Sequence, residues 1–234
     1  MEKIKGWIRS ETTGWKHWEV GWLLFACIMI TGISIYWKDS WMGIISAVSG
    51  VACVVCTGKG KLSAYLFGLV NCILYAIISY HAALYGETML NALYYVPMQF
   101  VGFHVWRKHI DDETKEVEKR HMAWKGRILL LLVIAAATCL YGILLQWLGD
   151  AMPFVDAFTT VSSVVAMIIS VKMLAEQWWI WVAVDVFSIY MWWCNFVSGQ
   201  DNMATLLMWV VYLGNAVIML VKWEREAANK NRLS

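Results

Sequence analysis

Eight times along the chain the charged residues give way to a long apolar run, at about residues 20–36, 41–57, 62–82, 87–106, 127–148, 154–171, 178–197 and 204–223. Each is close to the roughly 17 to 25 residues that a helix needs to cross a bilayer. Hydrocarbon satisfies no bare N–H or C=O, so a crossing segment is either a helix or a strand of a closed barrel. Barrel strands are shorter, about 9 to 11 residues, and alternate in polarity, which these runs do not. The pattern predicts an all-α polytopic membrane protein with eight transmembrane helices. Composition agrees: 60% of the 234 residues are hydrophobic and 15% charged, against about 25% charged in a soluble domain, and the mean hydropathy is +0.56. The runs leave no room for a soluble domain.

Basic residues collect on the cytoplasmic side of short loops. With the N-terminus inside, 18 of the 19 Lys and Arg fall on inner segments and only Lys38 falls outside. Both termini and the 107–127 loop are therefore expected in the cytoplasm, in a multi-pass protein of a bacterial inner membrane. The net charge of +2 reflects anchoring to the inner surface and gives no reason to expect a nucleic-acid partner. The first run lacks a small-residue cleavage site and ends in "YWKDSW", so it reads as a retained span.

Chemistry is sparse. Cys27, Cys53, Cys56, Cys72, Cys139 and Cys194 all lie in apolar runs, where a thiol is a small hydrophobe, and no disulfide or metal is expected. His81 and His104 do not pair at helical spacing. "GKGKLS" at 58–63 lacks the spacing of a phosphate-binding loop. The 107–127 stretch, charged in both signs, reads as a solvated connector. No Ser-His-Asp or Cys-His arrangement falls on facing helices, so neither an enzyme nor a cofactor is indicated.

The chain also resembles itself. Shifted by 114 positions, "SAVSG" at 46–50 lies over "TVSSV" at 160–164 and Asn71 over Asp185; shifted by 117, Tyr95 lies over Tyr212 and Trp106 over Trp223. The identities are few, and apolar helices also align by chance. Topology favours a repeat, because three spans end on the side opposite their start and a parallel second copy then needs one inverting helix. The expected organisation is an N-terminal segment with an extra helix (1–40), a first three-helix repeat (41–106), a loop with the inverting helix (107–150), a second repeat (151–223) and a tail (224–234). This is one helix added to a 3+1+3 core.

Polar side chains within the runs mark what the bundle encloses, since a buried unpaired amide costs several kcal/mol. Asn91, Tyr95, Gln99, Gly102 and Trp106 form one stripe at a 3.6-residue period, as do Asp185, Ser188, Trp192 and Asn195. Met208, Tyr212, Asn215 and Met219 form a third, and Asn71 with Tyr75 a fourth. Counted from the loops, most of these groups fall near the midplane, where a transporter holds its substrate between repeats; the alternative is helix-to-helix glue. Trp15, Trp18, Trp37, Trp41, Trp124, Trp147, Trp178, Trp179 and Trp223 sit at span ends and fit an interfacial belt. Trp192, Trp193 and Trp209 lie deeper, where an indole can stack on a flat ring or cation. Pro97 removes a helical hydrogen bond to Leu93 and predicts a kink. Asp185 either offsets a cationic ligand or accepts hydroxyl bonds.

The run "NALYYVPMQFVGFHVW" at 91–106, with its Q-x-x-G-x-x-x-W core from Gln99 to Trp106, "WKHWE" near the start and "WVVYLGNAVIMLVKW" near the end resembles the PnuC nicotinamide riboside transporters over nearly the whole chain. Related members look like thiamine or riboflavin carriers. The resemblance implies a fold like a single-chain version of the SWEET sugar carriers, facilitated diffusion of the riboside, and trapping by a cytoplasmic riboside kinase; it leaves self-association into a homo-oligomer open. A flat pyridinium joined to a ribose suits Trp192, Tyr95 and Tyr212 for the ring, and Asn91, Gln99, Ser188, Asn195 and Asn215 for the sugar, with Asn71 and Tyr75 beside them. The second repeat has Ala216 where the first has Gln99, so an asymmetric site is expected. A carrier of another vitamin, a ligand sensor without transport and a membrane-embedded enzyme are the competing readings.

Overall fold

The computed structural model describes residues 10–81, 88–110, 116–147, 152–198 and 203–233. The helices are α1 (His17–Tyr36), α2 (Trp41–Lys59), α3 (Ser63–His81), a π-helical stretch (Leu90–Tyr95) continuing into α4 (Val96–Arg107), α5 (Trp124–Trp147), α6 (Pro153–Val171), α7 (Gln177–Val197) and α8 (Met203–Leu233). Among the described residues there is no strand, only isolated bridges pairing Ile110 with Val117 and Arg120 with Leu174. Six helices, α1, α2, α3, α5, α6 and α8, are long and apolar enough to cross a membrane; α7 has 21 residues.

Local signals set the helix ends. Ser40 Oγ accepts from the Gly43 N–H at 3.0 Å and caps α2, and Gly60, at φ 78°, ends it in the left-handed conformation. Pro153 opens α6, where its missing N–H costs nothing. The cap of α8 comes from the α1–α2 turn: the Asp39 carboxylate accepts from the Ala204 N–H at 3.0 Å. Pro97 acts differently from a simple kink. The turn before it widens into the six-residue π-helix, which relieves the clash between the proline ring and the carbonyl four residues back. Asn91 and Tyr95 lie in that widened turn, so the strict 3.6-residue stripe holds only from Gln99 through Gly102 to Trp106.

The chain divides into two compact units, Met1–Glu118 with Trp192–Asn215, and Lys119–Met191 with Ala216–Ser234. In the first unit, α2 packs against α1 and α3, and α3 against the π turn and α4. Lys59 and Lys61, on a segment expected to face the cytoplasm, are only 3% and 0% exposed. Lys59 Nζ lies 2.9 Å from a Glu19 carboxylate oxygen and 2.8 Å from one of Glu116, and Lys61 Nζ donates to the Ser10 carbonyl at 3.0 Å. Glu11 accepts from the Ser63 N–H at 3.0 Å. The connector is likewise docked and not simply solvated: Val117 is buried, and its N–H donates to the Gly60 carbonyl at 3.1 Å.

In the second unit, α5 packs against α6, with Phe154 filling the space beside Gly142. The Arg120 N–H donates to the carbonyl of Met173 at 3.0 Å, and the Ala175 N–H returns a bond to Arg120 at 2.9 Å. Glu176 accepts from the Met122 N–H at 3.0 Å and from Arg127 Nε at 2.9 Å. Trp178 and Trp223, expected in the interfacial belt, are buried against each other edge to face at 5.9 Å. The Lys119 ammonium sits over the Trp223 ring and pairs with Glu226. Trp41, Trp124 and Trp147 are exposed, as a belt requires.

Candidate functional site

The polar side chains of the first unit gather on α2, α3, α4 and the first half of α8. On α3, Asn71 turns its amide toward α2: Nδ2 donates to the Ser46 carbonyl at 2.8 Å, lies 3.2 Å from Ser46 Oγ and has Met208 Sδ of α8 at 3.9 Å. Ser46 sits one turn before Gly50. A Cβ at Gly50 would overlap Tyr212 Oη and come within 2.8 Å of Asn71 Nδ2. Glycine therefore lets the Asn71 amide and the Tyr212 phenol meet against the α2 backbone. Both side chains stay half-buried.

A second cluster explains the Q-x-x-G-x-x-x-W core. Gln99 is buried on α4, with Nε2 3.6 Å from Cys72 Sγ of α3, and its carbonyl end lies against Gly68. One turn on, the Tyr65 ring occupies the space a Gly102 side chain would fill. Tyr65 then meets Trp106 edge to face, at 5.1 Å and 86°, the geometry ring quadrupoles prefer. Gln99, Gly102 and Trp106 thus form one face because α3 packs along it.

Tyr75, a turn beyond Asn71, lies edge-on to Trp192 at 6.3 Å with both rings buried. Tyr95 is half-buried beside Tyr94, and Asn91 is buried in the π turn. Asn215 is fully buried, and its Nδ2 donates to the Val54 carbonyl at 3.1 Å. That bond ties α8 to α2, and the Asn215 Oδ1 has no partner among the described residues. The Asn195 side chain lies outside the described residues. Ser188 and Asp185 are buried on α7 in the second unit.

Ser46, Gly50, Gly68 and Cys72 complete these clusters without having been singled out from sequence as site residues. Small residues at one-turn spacing opposite an amide were the available signal. A groove of about 610 Å³ between α5 and α6 is lined mainly by aliphatic side chains, Val133, Ala137, Leu140, Val161 and Val164 among them, with Tyr141 and Thr160 as its only hydroxyl-bearing residues.

An all-helical chain with amides, hydroxyls and aromatic rings turned inward from membrane-length helices defines a polytopic membrane protein built to hold a polar solute. The family model described as "Nicotinamide mononucleotide transporter" matches residues 40–225. The chain is 40% identical over 226 residues to the nicotinamide riboside transporter PnuC of Neisseria mucosa, covering 94% of this chain and 85% of that one. It is 30% identical to its namesake in Haemophilus influenzae, covering 94% and 95%. The crystal structure of a vitamin B3 transporter PnuC superposes with a TM-score of 0.86 at 37% identity, over 96% of this chain and 98% of that one. The chain belongs to the nicotinamide mononucleotide transporter family, a family of transporters and not of enzymes.

Proposed function

We propose that the chain carries nicotinamide riboside across the inner membrane by facilitated diffusion, exposing a midplane site alternately to the two sides. The observation that carries this reading is the chemistry of the two clusters: Ser46, Asn71, Met208 and Tyr212 in one, Gln99 and Cys72 in the other, all neutral. Amides and hydroxyls answer a ribose, and Tyr75 with Trp192 offers rings to a flat cation. The same neutrality favours the riboside over the mononucleotide, whose phosphate would be desolvated against the neutral groups of these clusters. The relatives named for nicotinamide riboside point the same way.

The architecture we propose for this activity has eight spans, with α4 and its π turn and α7 crossing as well, and both termini cytoplasmic. A parallel repeat is supported by matching details 113 to 117 positions apart. Gly60 and Met173 both have positive φ, and each accepts a connector N–H, from Val117 and Arg120 respectively. The Tyr65–Trp106 and Trp178–Trp223 pairs recur edge to face. Accumulation is left to a cytoplasmic riboside kinase, since an ion-coupled carrier needs a second site for its ion.

Flux in proteoliposomes tests the proposal. Labelled riboside should equilibrate and exchange but not concentrate at zero potential, and the mononucleotide should compete poorly. Gln99→Ala, Asn195→Ala and Trp192→Ala should each weaken riboside binding by roughly 1 to 3 kcal/mol. Wild-type affinity in all three, with folding intact, would reassign these faces to helix packing. Uphill uptake driven by a proton or sodium gradient would rule out a facilitator and direct attention to Asp185.

A further inference from the structure

Gln99 has three rotatable bonds before its amide, and freezing such a side chain costs up to about 2 kcal/mol of rotamer entropy. Among the described residues its amide hydrogen-bonds only to a thiol, at 3.6 Å, and sulfur is a weak acceptor. Packing has to hold the amide in place. One wall is the bare backbone of Gly68 on α3: a Cβ there would lie 2.6 Å from Gln99 Oε1, 2.9 Å from Gln99 Cδ and 3.0 Å from Cys53 Sγ. The amide therefore sits in a notch that exists only because residue 68 has no side chain, with sulfur atoms of Cys53 and Cys72 beside it.

We infer that Gly68 is a positioning residue for substrate recognition, acting through Gln99; the inference rests on Gln99 being a binding group, as proposed above. Ordinary contact with a Cβ begins near 3.4 Å, so an alanine methyl must displace the Gln99 carbonyl by about 0.8 Å or push the Cys53 wall. The α3 backbone is fixed by its own hydrogen-bond ladder, and the free end of Gln99 is the part able to move. Hydrogen bonds of this kind span only about 2.7 to 3.2 Å, so a shift of that size takes the amide out of range of a ligand hydroxyl. The expected consequence is a Kd for the riboside raised about ten-fold.

The test is a double-mutant cycle on the purified full-length protein, titrating nicotinamide riboside by calorimetry into wild type, Gly68→Ala, Gln99→Ala and the double variant. If Gly68 works through Gln99, Gly68→Ala weakens binding about ten-fold alone and adds nothing in the Gln99→Ala background, a coupling that a general packing defect does not produce. Wild-type affinity for Gln99→Ala removes Gln99 from the binding groups and overturns this inference with it, while the wider site falls only if Asn195→Ala and Trp192→Ala also bind as wild type. Weakened Gln99→Ala beside unchanged Gly68→Ala, or effects that multiply in the double variant, overturns the notch alone. Should Gly68→Ala fail to fold, Cys72→Ala removes one wall of the notch without filling it. That variant should weaken binding less, and only while Gln99 is present; an unchanged Kd, or a loss that persists without Gln99, counts against the inference.

Discussion

Replacing Lys59 by methionine keeps most of the side-chain volume and removes its charge. Two carboxylates then lose their common cation: Glu19, whose side chain is 1% exposed, and Glu116, at 13%. Glu116 retains some access to water and can turn toward it. Glu19 cannot, because it is also held by the Lys16 N–H at 2.9 Å at the start of α1. Breaking a buried pair by removing one partner typically costs about 3 to 5 kcal/mol. An upper bound comes from protonation, since a stranded carboxylate can always take up a proton, and for an ordinary glutamate at pH 7 that costs about 3.7 kcal/mol. The expected loss is therefore about 3 to 4 kcal/mol. For a chain of this size each kcal/mol moves the unfolding midpoint by roughly 2 to 4 °C, so Lys59→Met should unfold about 10 °C below wild type. Intrinsic fluorescence in detergent reads this directly. Adding Glu19→Gln should recover most of the loss, and lowering the pH should shrink the single variant's deficit. A midpoint within 2 °C of wild type would refute the reasoning.

Other consequences follow from single contacts. Asp39→Ala removes the carboxylate capping α8 at the Ala204 N–H and should cost about 1 kcal/mol, seen as a midpoint lower by roughly 2 to 4 °C. Gly102→Ala forces a methyl into the Tyr65 ring and should destabilise by about 1 to 3 kcal/mol; thermal unfolding no different from wild type would show that Tyr65 has room to move. Glu176→Gln leaves Arg127 and the Met122 N–H with a neutral acceptor and should lower stability by about 1 to 2 kcal/mol, measured the same way. A reporter active only in the periplasm, fused after Ser234, should be silent; activity would mean an odd number of spans.

The membrane class was legible because the bilayer imposes its own ruler on the sequence. A run such as 204–223 has to be long and uncharged whatever it packs against, and α8 covers it within Met203–Leu233. Gln99 was legible for a related reason, since an amide so deep in an apolar run has to be paired or face a cavity. The Gln99, Gly102 and Trp106 face was likewise readable from spacing, because it continues through a regular helix. The same arithmetic assumes a regular α-helix, and Asn91 and Tyr95 lie in a π-helical turn instead. Proline leaves more than one way to open a helix, and widening into a π turn shifts residues around the axis where a kink would only bend it.

What stayed hidden was whatever depended on a partner far away in sequence. Trp178 and Trp223 sit at helix ends as belt tryptophans do, and only their 5.9 Å contact with each other shows them to be buried. Lys59 looked like a surface cation because lysine at the end of a span usually is one, and nothing near it in sequence announces Glu19 or Glu116. Gly50 and Gly68 were the hardest to read, since a glycine in an apolar helix is compatible with many packings. Their meaning lies in the side chains that occupy the missing Cβ positions, Asn71 and Tyr212 at one and Gln99 at the other. These polar groups could be picked out one residue at a time because hydrocarbon penalises each separately, whereas the notches that seat them are properties of a pair of helices. On the site proposed above, Gly50→Ala and Gly68→Ala should therefore weaken riboside binding, read by calorimetry, as much as Asn71→Ala and Gln99→Ala do.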